Sequence, residues 1–199
     1  MNNYPEYVEV KGKQYKINTD FRFAIECNKV AEDQTIGDLE RSLAIIEILF
    51  GDEAIDDGKE DFELYNKLLK LALKYLSCGK EITNVEKKEP DMDYIEDMDY
   101  IEASFMSDYH IDLCNEKMHW WKFYNLLNGL SNSEFGNCCV LNRIRNLRTY
   151  DTKDIKDVKE RQKIEKAKEM VQLKKYKKEN HLTKEQEESM RKLNEMLGL

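Results

Sequence analysis

Proline and glycine are scarce in this chain, at two and eight of 199 residues. So few turn-forming residues argue against a protein built of many short strands and for long helices. No glycine run is suited to cradling phosphates, and no G-x-S-x-G elbow presents a nucleophile. The five cysteines (Cys27, Cys78, Cys114, Cys138 and Cys139) are odd in number and form no C-x-x-C pair, which points to free thiols in a reducing cytoplasm. Long hydrophobic runs are missing as well. The longest, "LAIIEILF", is interrupted by Glu47 and falls far short of the ~20 apolar residues that span a bilayer. The opening "MNNYPEYVEV" has no basic stretch followed by an apolar one, so neither export nor membrane insertion is expected.

What the chain does contain is charge, at 36% of residues against 41% hydrophobic, and a length sufficient for a proper core. The net charge of −8 is unevenly spread. Residues 1–140 hold 15 Lys/Arg against 29 Asp/Glu, and residues 141–199 hold 17 against 11. An acidic body with a basic tail disfavours nucleic acid as a partner of the whole chain and allows self-association by head-to-tail attraction.

Periodicity divides the sequence into elements. Residues 6–17 alternate on both sides of Lys11-Gly12, a small hairpin with Val8, Val10, Tyr15 and Ile17 on its buried side. Thr19 or Asp20 caps a helix whose apolar positions include Phe23, Ile25, Cys27 and Val30. A second helix begins near Asp38 and runs through Leu39, Leu43, Ile46 and Leu49 to Gly51. "GDEAIDDGKED" reads as an acidic loop. An amphipathic helix follows with Leu64, Leu68, Leu71, Leu73 and Tyr75, terminated by Gly79. Polar residues 80–90 form a linker.

The hexapeptide "DMDYIE" then occurs twice, at 91–96 and 97–102. Asp91 or Asp93 can start a helix, Asp93 and Glu96 have capping-box spacing, and Tyr94, Met98, Ile101, Phe105 and Tyr109 recur along one face. The carboxylates are expected to face solvent. An aromatic helix, "MHWWKFYNLLNGL", ends at Gly129, and another runs through Val140, Leu141, Ile144 and Leu147. The fold class is therefore mainly α: a compact helical domain over 1–150 with its N-terminal hairpin (4–17), and a charged helical extension over 151–199. The last helix has a capping box at Thr183 and Gln186.

Metal chemistry fits poorly. Aligning Gly58 with the glycine of a calcium loop places Ile55 at a ligand position and Leu64 where a glutamate is required. His110, Cys114 and His119 lack a fourth zinc ligand at suitable spacing. No catalytic, metal or cofactor-binding residue emerges, and the expectation is a non-enzymatic protein without a cofactor. The candidate binding residues are Trp120, Trp121, Phe123 and Tyr124. Adjacent tryptophans on a helix point about 100° apart, so one is expected in the core and its neighbour at a boundary or contact surface. One basic patch stands out, Lys174, Lys175, Lys177 and Lys178 around Tyr176, which is either a solvated face or a phosphate contact.

The ordered pieces "INTDFR" (17–22), "LAIIEILFG" (43–51), "ALKYLSCGK" (72–80), "YIEASFMSDYHIDL" ending at Leu113, "MHWWKFYNLLNGLS" (118–131) and "LRTYDTKDIKD" (147–157) resemble the bacteriophage gene-product-fifteen family over most of residues 4–165. That resemblance implies a tail-module protein of long-tailed phages or prophages, working in the host bacterial cytoplasm. It implies a tail assembly chaperone whose partners are the tape-measure protein and other tail proteins. The alternatives are a structural tail or baseplate component retained in the virion, and a nucleic-acid-binding phage regulator acting through the lysine patch. The doubled hexapeptide and the "NCCV" segment depart from the family pattern.

Overall fold

A computed structural model describes residues 4–80, 90–133 and 138–174. The expected linker from 81 to 89, the helix beginning at Thr183, and Lys175, Lys177 and Lys178 lie outside the described residues. The protein is mainly helical, and its contacts gather into two units, Met1–Asp151 and Thr152–Leu199.

The first unit opens with the hairpin, strands β1 (Tyr7–Val10) and β2 (Lys13–Lys16), paired antiparallel with Val10 opposite Lys13. Lys11 and Gly12 both have positive φ, the type I′ geometry that matches strand twist and that glycine adopts without strain. Val10, Tyr15 and Ile17 are buried, and Val8 packs against them.

Asp20 caps α1 (Phe21–Glu32), its carboxylate accepting from the Arg22 amide. Gly37 and Gly51 bracket α2 (Asp38–Phe50). The inward faces of these helices differ in detail from the sequence expectation. Phe23 and Leu39 point outward at 43% and 64% exposure, while Phe21, Ala24, Ile45 and Phe50 are buried.

The segment read as an acidic loop is a helix, α3 (Asp52–Glu60). Ala54, Ile55 and Gly58 make its buried face, a helical spacing carried by residues so small that it is easily missed. Its carboxylates are matched by the hairpin. Lys13 Nζ reaches Glu53 at 2.7 Å and Asp57 at 2.6 Å, and Tyr15 donates to Asp57 at 2.7 Å. Asp61 then caps α4 (Phe62–Leu76), accepting from the Glu63 and Leu64 amides while Lys11 binds it at 2.5 Å.

α5 (Met98–Tyr109), α6 (Trp120–Asn128) and α7 (Val140–Thr149) complete the unit. Phe123 lies in the middle of the core, stacked on Phe21 at 4.5 Å and on Phe105 at 5.2 Å between ring centroids. Buried Ser104 joins α5 to α7, donating to Tyr100 O and accepting from the Leu141 amide.

The doubled hexapeptide is also corrected. Asp93 caps a turn ahead of α5 through the Ile95 and Glu96 amides, but Asp97, and not Glu96, accepts from the Asp93 amide and closes the capping arrangement. Asp97 is fully buried, not solvated. Arg148 of α7 holds it with two bonds of 2.6 and 2.7 Å. Asp91, the same position in the other copy, pairs with Arg145 at 3.0 Å. Burying a carboxylate is costly unless it is paired, and each copy of the repeat supplies its first aspartate to one α7 arginine. Ile101 and Phe105 do face inward, and Tyr94 and Met98 pack beside them.

In the second unit Asp157 caps α8 (Val158–Val171) through the Lys159 and Glu160 amides. No residue of α8 is buried, in keeping with its charged sequence.

Candidate functional site

Helix α4 presents two chemistries. Leu64, Tyr65, Leu68, Ala72 and Tyr75 are buried. Lys67, Lys70 and Lys74 recur at three- and four-residue steps on its outer side, one ridge of a helix. Between that ridge and β1 runs an open groove of about 730 Å³, with Val10, Leu71 and Leu73 as its apolar contribution and Ser77, Gly79 and Lys80 at one end. Lys67 is paired with Glu63 at 2.9 Å, and Lys11, also on the groove, with Asp61 and Glu63. Among the described residues no carboxylate is paired with Lys70 or Lys74.

The tryptophan pair lies behind the groove's far end, with Trp121 against Gly79. α4 ends in a Schellman motif, with Cys78 left-handed at φ 53°, the Cys78 amide bonded to Tyr75 O and the Gly79 amide to Lys74 O. The left-handed residue is therefore Cys78 first, with Gly79 continuing in the same region at φ 73°. Two terminal carbonyls of α4 also receive indole donors: Trp120 Nε1 bonds Leu76 O at 3.0 Å and Trp121 Nε1 bonds Tyr75 O at 2.9 Å. Adjacent tryptophans thus bond adjacent carbonyls of another helix, Trp120 meeting a carbonyl of the kind a helix end leaves open and Trp121 adding a second donor to Tyr75 O. Trp121 lies so close that a Cβ on Gly79 would meet its ring at 3.3 Å.

The four aromatic residues singled out in the sequence are divided by the fold. Trp120 and Phe123 are core residues at 1% and 0% exposure. Trp121 and Tyr124 are only partly buried, beside the groove's end. Lys80 extends over Tyr124, its Nζ 4.6 Å from the ring centroid, a cation–π contact. Of the tail lysines only Lys174 is among the described residues.

Sequence reading passed over Lys67, Lys70, Lys74 and Lys80. The signal of the first three was present in "KLLKLALK" (67–74), where lysines recur at three- and four-residue steps among apolar residues. That pattern is common on solvated helices, and the strand that makes a groove of it lies more than fifty residues earlier.

Of the residues weighed for zinc, His119 is engaged elsewhere. His119 caps α6: its Nδ1 accepts from the Trp121 amide at 3.0 Å, which leaves Nε2 protonated to donate to Pro5 O at 3.1 Å. Both ring nitrogens are thereby occupied. Among the described residues no cluster of three or more His, Cys, Asp or Glu side chains is placed to hold a metal ion. No helix of the described residues is long and apolar enough to cross a membrane. Burial pushes the Cys27 thiol up to about 12 and the Cys78 thiol up to about 11, so neither is a ready nucleophile at neutral pH.

A family model described as Bacteriophage Gp15 protein matches residues 1–173. The chain belongs to that family. Membership makes it a bacteriophage protein and suggests a tail-protein context, and the matched span takes in the hairpin, the groove and all eight helices described above. No curated protein and no solved structure matches this chain.

Proposed function

We propose that this protein is a non-enzymatic tail assembly chaperone that binds the phage tape-measure protein, and other tail proteins with it, in the host cytoplasm. The observation that carries this reading is the open groove between β1 and α4. A chaperone for a long amphipathic helix needs an apolar track to hold it and surrounding charge to keep the complex dissolved. Val10, Leu71 and Leu73 supply the first and the lysine ridge the second. Near its end the half-buried Trp121, against Gly79, and Tyr124, under Lys80, offer aromatic area of the kind that anchors protein contacts.

Co-expression with the tape-measure protein, followed by affinity purification, tests this reading. The two proteins are expected to co-purify, and the tape-measure protein to remain in solution only when the chaperone is present. Mass spectrometry of purified virions separates a chaperone from a retained structural component. A chaperone is absent from finished particles, and stoichiometric recovery there would replace this proposal with the structural alternative.

A further inference from the structure

Resting on the chaperone reading above, we infer that the groove between β1 and α4 docks an amphipathic helix whose apolar stripe is flanked by carboxylates, so that acidic segments of the tape-measure protein are the ones held. The first observation is charge. The whole chain is at −8, yet this surface gathers Lys67, Lys70, Lys74 and Lys80, and the ammonium groups of Lys70 and Lys74 have no carboxylate partner among the described residues. On the same groove Lys11 is held by Asp61 and Glu63 and Lys67 by Glu63, and Glu9 is the one carboxylate among the described lining residues, so Lys70 and Lys74 are the cations left to a ligand. Two uncompensated cations beside an apolar floor attract a ligand that brings carboxylates and apolar side chains together.

The second observation is spacing. Lys67, Lys70 and Lys74 stand about one helical turn apart, near 5 Å along the axis. A helix laid alongside α4 presents side chains at the same interval, so glutamates at three- and four-residue steps meet the lysines in register while leucines on the adjoining stripe enter the groove. Leu73, exposed at 43%, and the partly buried Leu71 are the side chains such a stripe would cover. A basic helix would meet repulsion along the same ridge.

The test uses the full chain and peptides of about 20 residues tiled along the tape-measure protein, with binding measured by fluorescence anisotropy at low and high salt. Peptides that bind are expected to carry an apolar stripe with acidic flanks and to weaken as salt rises. Lys70→Glu/Lys74→Glu should lower their affinity about tenfold or more. Exchanging the peptide's glutamates for lysines should restore binding to this variant. Both lysines are on the surface, so the fold is expected to persist, with the thermal unfolding midpoint as its check. Preference for basic peptides, or equal binding by the reversed variant, overturns the inference. A concentration-dependent dimer that the variant abolishes, seen by sedimentation of the chain alone, also overturns it in favour of a second copy as occupant. Failure of wild-type protein to co-purify with full-length tape-measure protein defeats the chaperone reading itself. Undiminished co-purification with the reversed variant defeats only the groove.

Discussion

Asp97, the first residue of the second hexapeptide copy, is fully buried and held by two hydrogen bonds from Arg148, fifty-one residues later. The carboxylate raises the Arg148 guanidinium above its ordinary value and locks it in the charged form. Asp97 also accepts from the Asp93 amide, so one side chain fixes both the turn leading into α5 and the docking of α7. Removing one member of such a pair leaves an uncompensated buried charge. Arg148→Gln should therefore destabilise the protein by about 3–5 kcal/mol, and Asp97→Asn/Arg148→Gln by less than the two single changes together. The neighbouring Arg145–Asp91 pair is about one-third exposed, at 31% and 36% for the two side chains. Arg145→Gln should cost no more than about 1 kcal/mol. Urea unfolding of the four variants measures the contrast.

At the end of α4, two substitutions are expected to act in opposite directions. Trp121→Phe removes the indole donor from Tyr75 O and should lower stability by about 1 kcal/mol. The Tyr75 hydroxyl is buried and has no hydrogen-bond partner among the described residues. Tyr75→Phe deletes that unmatched group while keeping the ring, and should leave stability unchanged or raise it by about 1 kcal/mol. Thermal midpoints under identical buffer conditions decide both.

Two glycines test the local geometry. A Cβ on Gly58 would sit 3.6 Å from Tyr65 Cβ, an ordinary contact, and the position is inside a helix. Gly58→Ala should stabilise α3 by up to about 1 kcal/mol through helix propensity. A Cβ on Gly129 would come within 2.9 Å of the Tyr109 hydroxyl, which donates to Leu126 O. Gly129→Ala should push that hydroxyl from its bond and destabilise the protein, read by denaturant midpoint.

Acid and alkali act on different groups. Lys13, then Tyr15, hold the Asp57 carboxyl below its ordinary value of 3.8; Lys11 does the same for Asp61, and the Ser131 amide for Asp108. The folded values lie below the unfolded ones, so this stabilisation is complete above 3.8 and is lost as pH falls through the folded values. The Cys27 thiol is shifted the other way, by burial, from 9.0 to about 12. Its contribution is complete below 9.0 and is lost as pH rises towards 12. A plot of unfolding free energy against pH should fall at both ends, and a thiol reagent at neutral pH should modify exposed Cys114 well before Cys27.

Much of this architecture was legible where the information is local. Lys11-Gly12 marked the hairpin, Gly37 and Gly51 bracketed α2, and the spacing of Leu64, Leu68 and Tyr75 announced α4. Segments whose stability comes from distant partners were not. The carboxylates of α3 resembled those of a solvated loop because the cation that neutralises Glu53 and Asp57, Lys13, belongs to the hairpin. The repeat looked like a polar helix face because Arg145 and Arg148 lie more than fifty residues further on. A period of six cannot give two copies the same helical face, and the structure resolves this by making one copy a capping turn and the other a helix start. The groove escaped notice for the same reason, since one wall is a strand and the other a helix from separate parts of the chain.

The most direct test of the chaperone account is hydrogen–deuterium exchange on the protein with and without its tape-measure partner. The account expects slower exchange along residues 67–80, from α4 into the turn that follows it, at the β1 edge and at 121–124, with the α5–α7 region around Asp97 and Arg148 unchanged. Protection confined to surfaces away from α4, or no protection in a saturated complex, would contradict it.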